Sequence, residues 1–181
     1  MNKNDDNGLT YSFNICSHCK SICCIDAKPP LTVNRKKIIK EYALKNNIQI
    51  GDPFVYSEYP HVGVAEGAYC NFFNKATGKC IVHDVKPETC VSGPITFDIN
   101  FKTKKIEWFL KKKEICAYAG ILFDDKASLE EHFKEARKQL LALVKDLSAD
   151  ELRAIVKIEE PQTFKLSDDD LPLEVAKKLG L

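Results

Sequence analysis

The sequence lacks several features that would place it in a functional class at once. No stretch is apolar enough over the length that a signal peptide or transmembrane helix requires, and the first residues, MNKNDDNGLTYSF, are polar. Neither charge is in excess, since the formal net charge is +1. There is no glycine-rich phosphate loop, Gly-x-Ser-x-Gly elbow or His-Glu-x-x-His motif. We therefore expect a soluble cytoplasmic protein that binds neither membranes nor nucleic acid.

The composition is that of a folded chain. Of the 181 residues, 44% are hydrophobic and 29% are charged, close to the usage of globular proteins, so general disorder is not expected. The length allows one domain with an appended piece. We expect a flexible arm over 1–12, a cysteine-cluster metal-binding domain over 13–122, and a helical extension over 123–181 packed on it.

Local patterns predict elements of both kinds. Apolar spacing predicts a helix over 34–47 with Asn34 as its N-cap. Prolines, glycines and aromatic residues over 54–69 indicate short strands and turns. Strict alternation over 95–101, followed by a second candidate strand over 105–110, predicts a β-hairpin.

After the hairpin the sequence predicts helices. Ser128 is the expected N-cap of a long amphipathic helix, whose apolar stripe comprises Leu129, Phe133, Ala136, Leu140, Val144 and Leu147. Ser148 and Glu151 form a capping-box pattern for the next helix, and Gly180 ends a last, short one. The acidic run Asp168, Asp169 and Asp170 is interpreted as a solvated helix N-terminus.

Cysteine is the most informative residue type. The first cysteine group comprises Cys16, Cys19, Cys23 and Cys24, and the second comprises Cys70, Cys80, Cys90 and Cys116. A Cys-x-x-Cys turn brings two sulfurs close enough to bind one metal ion, with zinc–sulfur distances of about 2.3 Å. Adjacent cysteines point in different directions, so Cys23 and Cys24 are expected to face different ions or different irons of a cluster. Eight sulfurs suit two tetrahedral sites, or one cluster with additional structural cysteines.

Other interpretations compete with metal binding. A disulfide framework needs an oxidising compartment, which the polar N-terminus does not indicate. A cysteine can also be a small buried apolar residue, and for Cys116, between Ile115 and Ala117, this is as well supported as a ligand role. His83 is an alternative ligand that would leave an open, catalytic metal position. A hydrogen-bonded histidine on a strand with Ile81 is the simpler interpretation.

The two segments CSHCKSICC and CNFFNKATGKCIVHDVKPETC resemble the YkgJ-type cysteine-cluster family, which is described as a zinc- or iron-chelating domain. The likeness spans residues 13–116 and implies a metal role for the cysteines of both groups. Leu31-Thr32 matches a pair that precedes a helix in the family, and Lys86-Pro87 stands where Arg-Pro is usual. The chain departs from the family pattern at His83, at Val91 and by one extra residue after Cys19.

Together these observations predict an irregular, cysteine-rich α+β domain that contains a β-hairpin and ends in a helical tail. The predicted cofactor is an iron–sulfur cluster or zinc. We favour the cluster, because the Cys23–Cys24 pair suits a single tetrahedral ion poorly and eight thiols exceed what one zinc needs. A cluster would support electron transfer or an oxidoreductase-type activity with a redox or protein partner. The alternative is a structural or protein-binding zinc module without catalysis, since all-thiolate zinc has no open position.

Overall fold

Residues 23–65, 68–160 and 162–181 are described by the structure, a computed structural model. The predicted flexible arm lies outside these residues, as do Cys16 and Cys19 of the first cysteine group. Cys23 and Cys24 are therefore the first candidate ligands whose surroundings can be described.

Both helices and strands occur among the described residues. The helices are α1 (Val33–Lys45), α2 (Glu88–Ser92), α3 (Ala117–Asp124), α4 (Lys126–Asp146), α5 (Ala149–Val156) and α6 (Leu173–Leu179). The strands are β1 (Phe54–Tyr56), β2 (Pro60–Val62), β3 (Val64–Ala65), β4 (Tyr69–Cys70), β5 (Phe73–Asn74), β6 (Lys79–Cys80), β7 (Ile95–Asn100), β8 (Lys105–Lys111) and β9 (Thr163–Asp170). The predicted α+β class is confirmed.

These strands form three small antiparallel pairs, β1–β2, β3–β4 and β5–β6, followed by one antiparallel sheet of order β7–β8–β9. The cysteine-bearing segments use the small pairs, whereas the larger sheet lies further along the chain. Within the described ranges, no helix is both long and apolar enough to cross a lipid bilayer.

The predicted hairpin is the first part of the larger sheet. β7 and β8 pair antiparallel, with Phe97 opposite Trp108. Alternate residues of β8 point to the core, so that Ile106, Trp108 and Leu110 are fully buried while their neighbours are half-buried. The hairpin prediction is confirmed. The alternation predicted for 95–101 is followed only in part, since Ile95 and Ile99 are buried and Phe97 is half-buried, but Phe101 lies beyond β7 and is exposed.

Strand β9 departs from the prediction that the chain after the hairpin is helical. It pairs antiparallel with β8. Asp168, Asp169 and Asp170 lie in this strand, so their interpretation as a helix N-terminus is wrong. Lysines make the acidic run acceptable in a sheet, because Lys105 and Lys165 both form ion pairs with Asp168. These two bonds lower the pKa of Asp168 to about 2.

Asp169 explains why β9 belongs in the sheet. Trp108 is fully buried, and its indole N–H needs an acceptor in the core. Asp169 supplies it, accepting from Trp108 Nε1 at 2.6 Å. The same carboxylate lies 2.6 Å from Arg137 Nη2 of α4. One side chain of β9 therefore connects the strand, the central tryptophan and the long helix.

Two helices begin at different caps from those predicted. α4 is capped by Asp125 rather than Ser128, and the Asp125 carboxylate accepts from two main-chain N–H groups of the first turn. α1 is capped by Thr32 rather than Asn34, and Thr32 Oγ1 accepts from the N–H of Arg35 at 2.9 Å. Asp, Asn, Ser and Thr are all good N-caps, so sequence alone does not choose between two of them that lie within three residues of each other.

The helical patterns themselves are confirmed. Four residues of the predicted apolar stripe are buried: Ala136, Leu140 and Val144 within α4, and Leu147, its C-cap. The capping box of α5 is present in both directions, with Ser148 N–H donating to Glu151 and Glu151 N–H donating to Ser148. Gly180 ends α6 in the left-handed conformation, at φ +77°.

The buried apolar residues form clusters of unequal size. The largest cluster lies between the sheet and α4, α5 and α6; it comprises Ile99, Ile106, Trp108, Leu140, Leu143, Val144, Leu147, Leu152, Leu171, Val175, Ala176 and Leu179. The cysteine-bearing segments pack on a smaller one, comprising Leu31, Ile39, Val62, Cys70, Phe72 and Val82. Because hydrophobic stabilisation scales with buried apolar area, these segments receive less of it.

We predict that Leu143→Ala lowers the free energy of unfolding by about 2–5 kcal/mol, because it leaves a cavity in the largest cluster. Leu44→Ala is the matched control: Leu44 is 82% exposed, and its replacement is expected to change stability by less than about 0.5 kcal/mol. Urea unfolding followed by circular dichroism measures both. Equal losses in the two variants would contradict the assignment of the core.

Candidate metal centre

The described candidate ligands lie in very short elements. Cys70 ends β4 and Cys80 ends β6, both strands of two residues. Cys90 lies in α2, a helix of five residues, and Cys116 is the N-cap of α3. Elements this short have little stability of their own. Tertiary contacts must therefore fix the positions of these sulfurs.

Main-chain hydrogen bonds join the first cysteine group to the second. The N–H of Cys70 donates to the carbonyl of Cys24 at 2.7 Å. The next residues, Ile25 and Tyr69, form an isolated antiparallel bridge. The chain that follows the Cys23–Cys24 pair thus runs along β4, and the two cysteine groups meet there although they are far apart in sequence.

A tight turn returns the chain to Cys80. The Asn74 side chain accepts from two main-chain N–H groups of this turn, at 2.9 and 3.1 Å. Gly78 then takes a φ of +65°, a conformation that glycine adopts without strain. The strands on either side pair with Phe73 opposite Cys80. The turn chemistry of this segment therefore fixes where the Cys80 sulfur lies.

The main chain also donates to two of the sulfurs. The N–H of Phe72 donates to the Cys70 sulfur, and the N–H of Val82 donates to the Cys80 sulfur. In each case the donor lies two residues after the cysteine. Such bonds favour the charged form of a thiol and lower its pKa. Both turns therefore have the local geometry that supports a thiolate.

The adjacent thiols of Cys23 and Cys24 form a hydrogen bond with each other. This hydrogen bond lowers the pKa of Cys23 to about 6 and raises that of Cys24. Burial opposes the first shift and adds to the second. Lys86 and Lys111 lower the pKa of Cys23 further by their positive charge. Cys23 is therefore the described cysteine best suited to be a thiolate at neutral pH.

At Cys70, Cys80 and Cys90, by contrast, burial is the largest effect on the pKa. It raises the pKa of Cys70, of Cys90, and of Cys80 to about 11. Negative charge on Cys23 adds to the rise at all three. Because a charge effect falls off with distance, Cys70, Cys80 and Cys90 lie in the same region as Cys23. Thiols in this situation resist losing their protons together, unless a metal cation supplies compensating charge.

The donor chemistry fits a soft metal, since thiolates select zinc and iron–sulfur clusters. No disulfide joins the described cysteines Cys23, Cys24, Cys70, Cys80 and Cys90 to one another. Within residues 23–65, 68–160 and 162–181, no three cysteine, histidine or carboxylate side chains are arranged to hold a metal ion by themselves. The predicted ligands at positions 16 and 19 lie outside these residues. The eight-cysteine ligand set therefore stays a prediction.

Cys116 and His83 have different surroundings from these thiols. Cys116 packs against a third buried cluster, formed by Ile95, Leu110, Ala119, Leu122 and Ala136. His83 begins the 3₁₀ turn His83–Val85, so its predicted place on a strand is wrong. Burial and the charge of Lys86 lower the pKa of His83 to about 4, which keeps the imidazole neutral, the form that binds zinc. A ligand role for either residue stays a prediction.

Sequence reasoning misses a buried carboxylate beside Cys90. Glu88 is only 3% exposed. Its carboxylate accepts from Thr32 Oγ1 at 2.7 Å and lies 3.5 Å from Arg35 Nε. The sequence signals Thr32 weakly, as a residue type that often precedes a helix. Nothing in the sequence distinguishes Glu88 from an ordinary exposed glutamate.

The far end of α2 is also held by polar contacts. Ser92 Oγ donates to the carbonyl of Glu88 at 2.8 Å and lies 3.3 Å from the carbonyl of Ala136 in α4. His132 Nε2 donates to the carbonyl of Ser92 at 3.0 Å. Burial lowers the pKa of His132, so this fully buried imidazole is neutral and keeps one N–H for the bond. The helix that carries Cys90 is thus fastened to α4.

Comparison with known families agrees with the cysteine pattern. The model of a family described as "CxxCxxCC: Putative zinc- or iron-chelating domain" matches residues 15–117, more than half of the chain. This span contains all eight cysteines. The resemblance to the YkgJ-type cysteine-cluster family is confirmed. No curated protein and no solved structure matches the chain.

In the metal-free protein, we predict that Cys23 is alkylated with a different pH dependence from Cys80. The rate at Cys23 should rise about tenfold per pH unit below pH 6 and level off above it, because the thiolate is the nucleophile and its pKa is lowered to about 6. The rate at Cys80 should still be rising at pH 9, since its pKa is raised to about 11. Timed labelling with iodoacetamide, followed by site-resolved mass spectrometry, measures both rates. Identical profiles would contradict the opposite shifts.

Proposed function

This chain belongs to the CxxCxxCC family of zinc- or iron-chelating domains, and we propose that its cysteines form a thiolate centre that holds an iron–sulfur cluster and serves electron transfer or a related redox reaction. The observation that carries the proposal is the main-chain hydrogen bond from the N–H of Cys70 to the carbonyl of Cys24, which brings the two cysteine groups together. In support, negative charge on Cys23 raises the pKa of Cys70, Cys80 and Cys90. These thiols come from separate segments yet act on one another's ionisation. A shared inorganic centre would require its ligands to lie near one another in this way.

The number and placement of the thiols support a cluster over a single zinc ion. A tetrahedral zinc needs four ligands. Cys23, Cys24, Cys70, Cys80 and Cys90 are five candidates among the described residues, and the Cys-x-x-Cys motif at 16–19 adds two more. Cys23 and Cys24 are adjacent and form a hydrogen bond with each other, a placement that suits two neighbouring irons better than one ion. The proposed ligands are therefore Cys16, Cys19, Cys23, Cys24, Cys70, Cys80 and Cys90, with Cys116 as the eighth candidate.

The chain around these thiols has the means to adjust a redox centre. A bound cluster would supply the electron-transfer chemistry, and its potential would depend on burial, on hydrogen bonds to the sulfurs and on nearby charge. The N–H groups of Phe72 and Val82 donate to two of the sulfurs. Lys86 and Lys111 place positive charge near Cys23. Both effects favour added negative charge at the centre.

A zinc-binding structural module is the second candidate function. Its supporting observation is the small apolar cluster beneath the cysteine-bearing segments. Segments with such short strands gain much of their folding free energy from a structural metal when they bind one. In that case the centre would be coordinatively closed, and the protein would act by presenting a surface to a partner rather than by catalysis.

Elemental analysis of the anaerobically purified chain decides between the two. We predict iron and acid-labile sulfide in comparable amounts, a brown colour, and broad visible absorption that dithionite bleaches. A colourless protein with stoichiometric zinc would reject the cluster and support the zinc module. A protein with neither metal would reject both candidates.

We predict that Cys80→Ser lowers the bound metal per chain severalfold, because it replaces a thiolate with a poor ligand for a soft metal. The variant should also unfold at a lower temperature than the wild type, since metal binding to the native state stabilises it. Thr77→Ser, in the same turn but exposed, is the matched control and should retain full metal. Full metal content in Cys80→Ser would remove Cys80 from the ligand set.

A further inference from the structure

We propose that Glu88 and Thr32 are positioning residues for the metal centre, which hold the Cys90 thiol in place relative to the thiols of the neighbouring segments. This inference rests on the proposed metal-binding function and extends it to residues that bear no sulfur. Neither residue would touch the metal. Both would act through the short helix that carries Cys90.

The helix α2 depends on such support. It has only five residues, Glu88–Ser92, and its N-cap residue, Pro87, provides no side-chain cap. An isolated helix of this length does not form in water. The position of Cys90, in the middle of α2, is therefore decided by whatever holds the two ends of the helix.

The first residue of α2, Glu88, has a buried carboxylate. Removing a charge from water is costly unless good partners surround it. Glu88 is 3% exposed, and both of its oxygens face Thr32: Oε1 accepts from Thr32 Oγ1 at 2.7 Å, and Oε2 lies 3.4 Å from the Thr32 N–H. Arg35 Nε lies 3.5 Å from Oε1. A surface glutamate at this position would avoid that cost, so its burial points to a positional role.

Thr32 links this carboxylate to a second helix. Its hydroxyl donates to Glu88 and accepts from the N–H of Arg35, which makes it the N-cap of α1. A hydroxyl has one donor and two acceptor sites, so both bonds can exist together. The side chain of Arg35 also extends to α4, where Nη2 donates to Gln139 Oε1. The first turn of α1 thus connects α2 with α4.

Thr32 is itself tied to the strands that adjoin the other thiols. The N–H of the preceding residue, Leu31, donates to the carbonyl of Pro60 at 3.3 Å, and the N–H of Val62 donates to the carbonyl of Pro29 at 3.2 Å. The segment 29–32 therefore runs beside β2. A few residues before this segment, the carbonyl of Cys24 accepts a hydrogen bond from the N–H of Cys70. The Thr32–Glu88 bond consequently joins the Cys24–Cys70 side of the region to the Cys90 side.

The variants Glu88→Gln, Thr32→Val and Thr32→Ser test this link in the full-length protein purified with its metal. Valine matches threonine in shape but lacks the hydroxyl, whereas serine retains it. We expect Glu88→Gln and Thr32→Val to lose iron or zinc to excess EDTA about tenfold faster than the wild type, the lower end of the effect seen when residues that orient metal ligands are replaced. Thr32→Ser should behave as the wild type does.

Ser148→Ala serves as the control for general destabilisation. It removes a helix N-cap as Thr32→Val does, but in α5, on the largest apolar cluster. We expect it to leave the rate of metal loss unchanged. The inference is overturned if Ser148→Ala reproduces the effect of Thr32→Val, or if Thr32→Val and Thr32→Ser lose metal equally fast.

A second measurement separates this inference from the proposed function. In metal-free protein at a single pH, replacing Glu88 should increase the alkylation rate of Cys90 by a larger factor than that of Cys70, since only Cys90 depends on α2. Equal acceleration at both cysteines would overturn the positional role even if the wild type binds metal. Selective acceleration at Cys90 in a chain that proves unable to bind metal would uphold the positional role and reject the function.

Discussion

The cost of ionising several neighbouring cysteine thiols is the constraint on which the cysteine region depends. Burial already disfavours the charged form of Cys70, Cys80 and Cys90, and charge on Cys23 disfavours it further. A protein with no use for these thiols would gain stability by separating them or replacing them with apolar residues. Here the main chain instead brings Cys24 alongside Cys70 and directs N–H groups at two of the sulfurs. A metal cation bound among these sulfurs, as proposed, would make each of these features favourable.

The remainder of the molecule compensates for the weakness of this region. The largest apolar cluster lies between the three-stranded sheet and α4, α5 and α6, and none of the cysteines from Cys23 onward belongs to it. The helix α4 faces both parts, because it contributes Leu140 and Leu143 to that cluster and His132 to the support of α2. A stable helical framework can thus hold segments that have too few apolar contacts to fold firmly by themselves.

Sequence patterns predicted those elements whose signals are local. Alternation identified the β7–β8 hairpin, helical periodicity identified α4, and the Ser148–Glu151 pattern identified a capping box. The residue types of the candidate site were also evident, because cysteine spacing is a strong local signal. Strand β9 was missed because its strand character comes from pairing with β8, more than fifty residues earlier. Glu88 was missed for the same reason, since its partner Thr32 lies 56 residues away in sequence.

Strand β9 has a consequence for the order in which the protein is made. During synthesis, β8 leaves the ribosome long before residues 163–170 do, and in that interval one of its edges has no neighbour. Trp108 meanwhile lacks the Asp169 acceptor for its indole N–H. An unpaired strand edge beside a large aromatic residue is prone to join other nascent chains. The cysteines up to Cys90, by contrast, all leave the ribosome before β8 does, whereas α4, which supports the helix that carries Cys90, follows later.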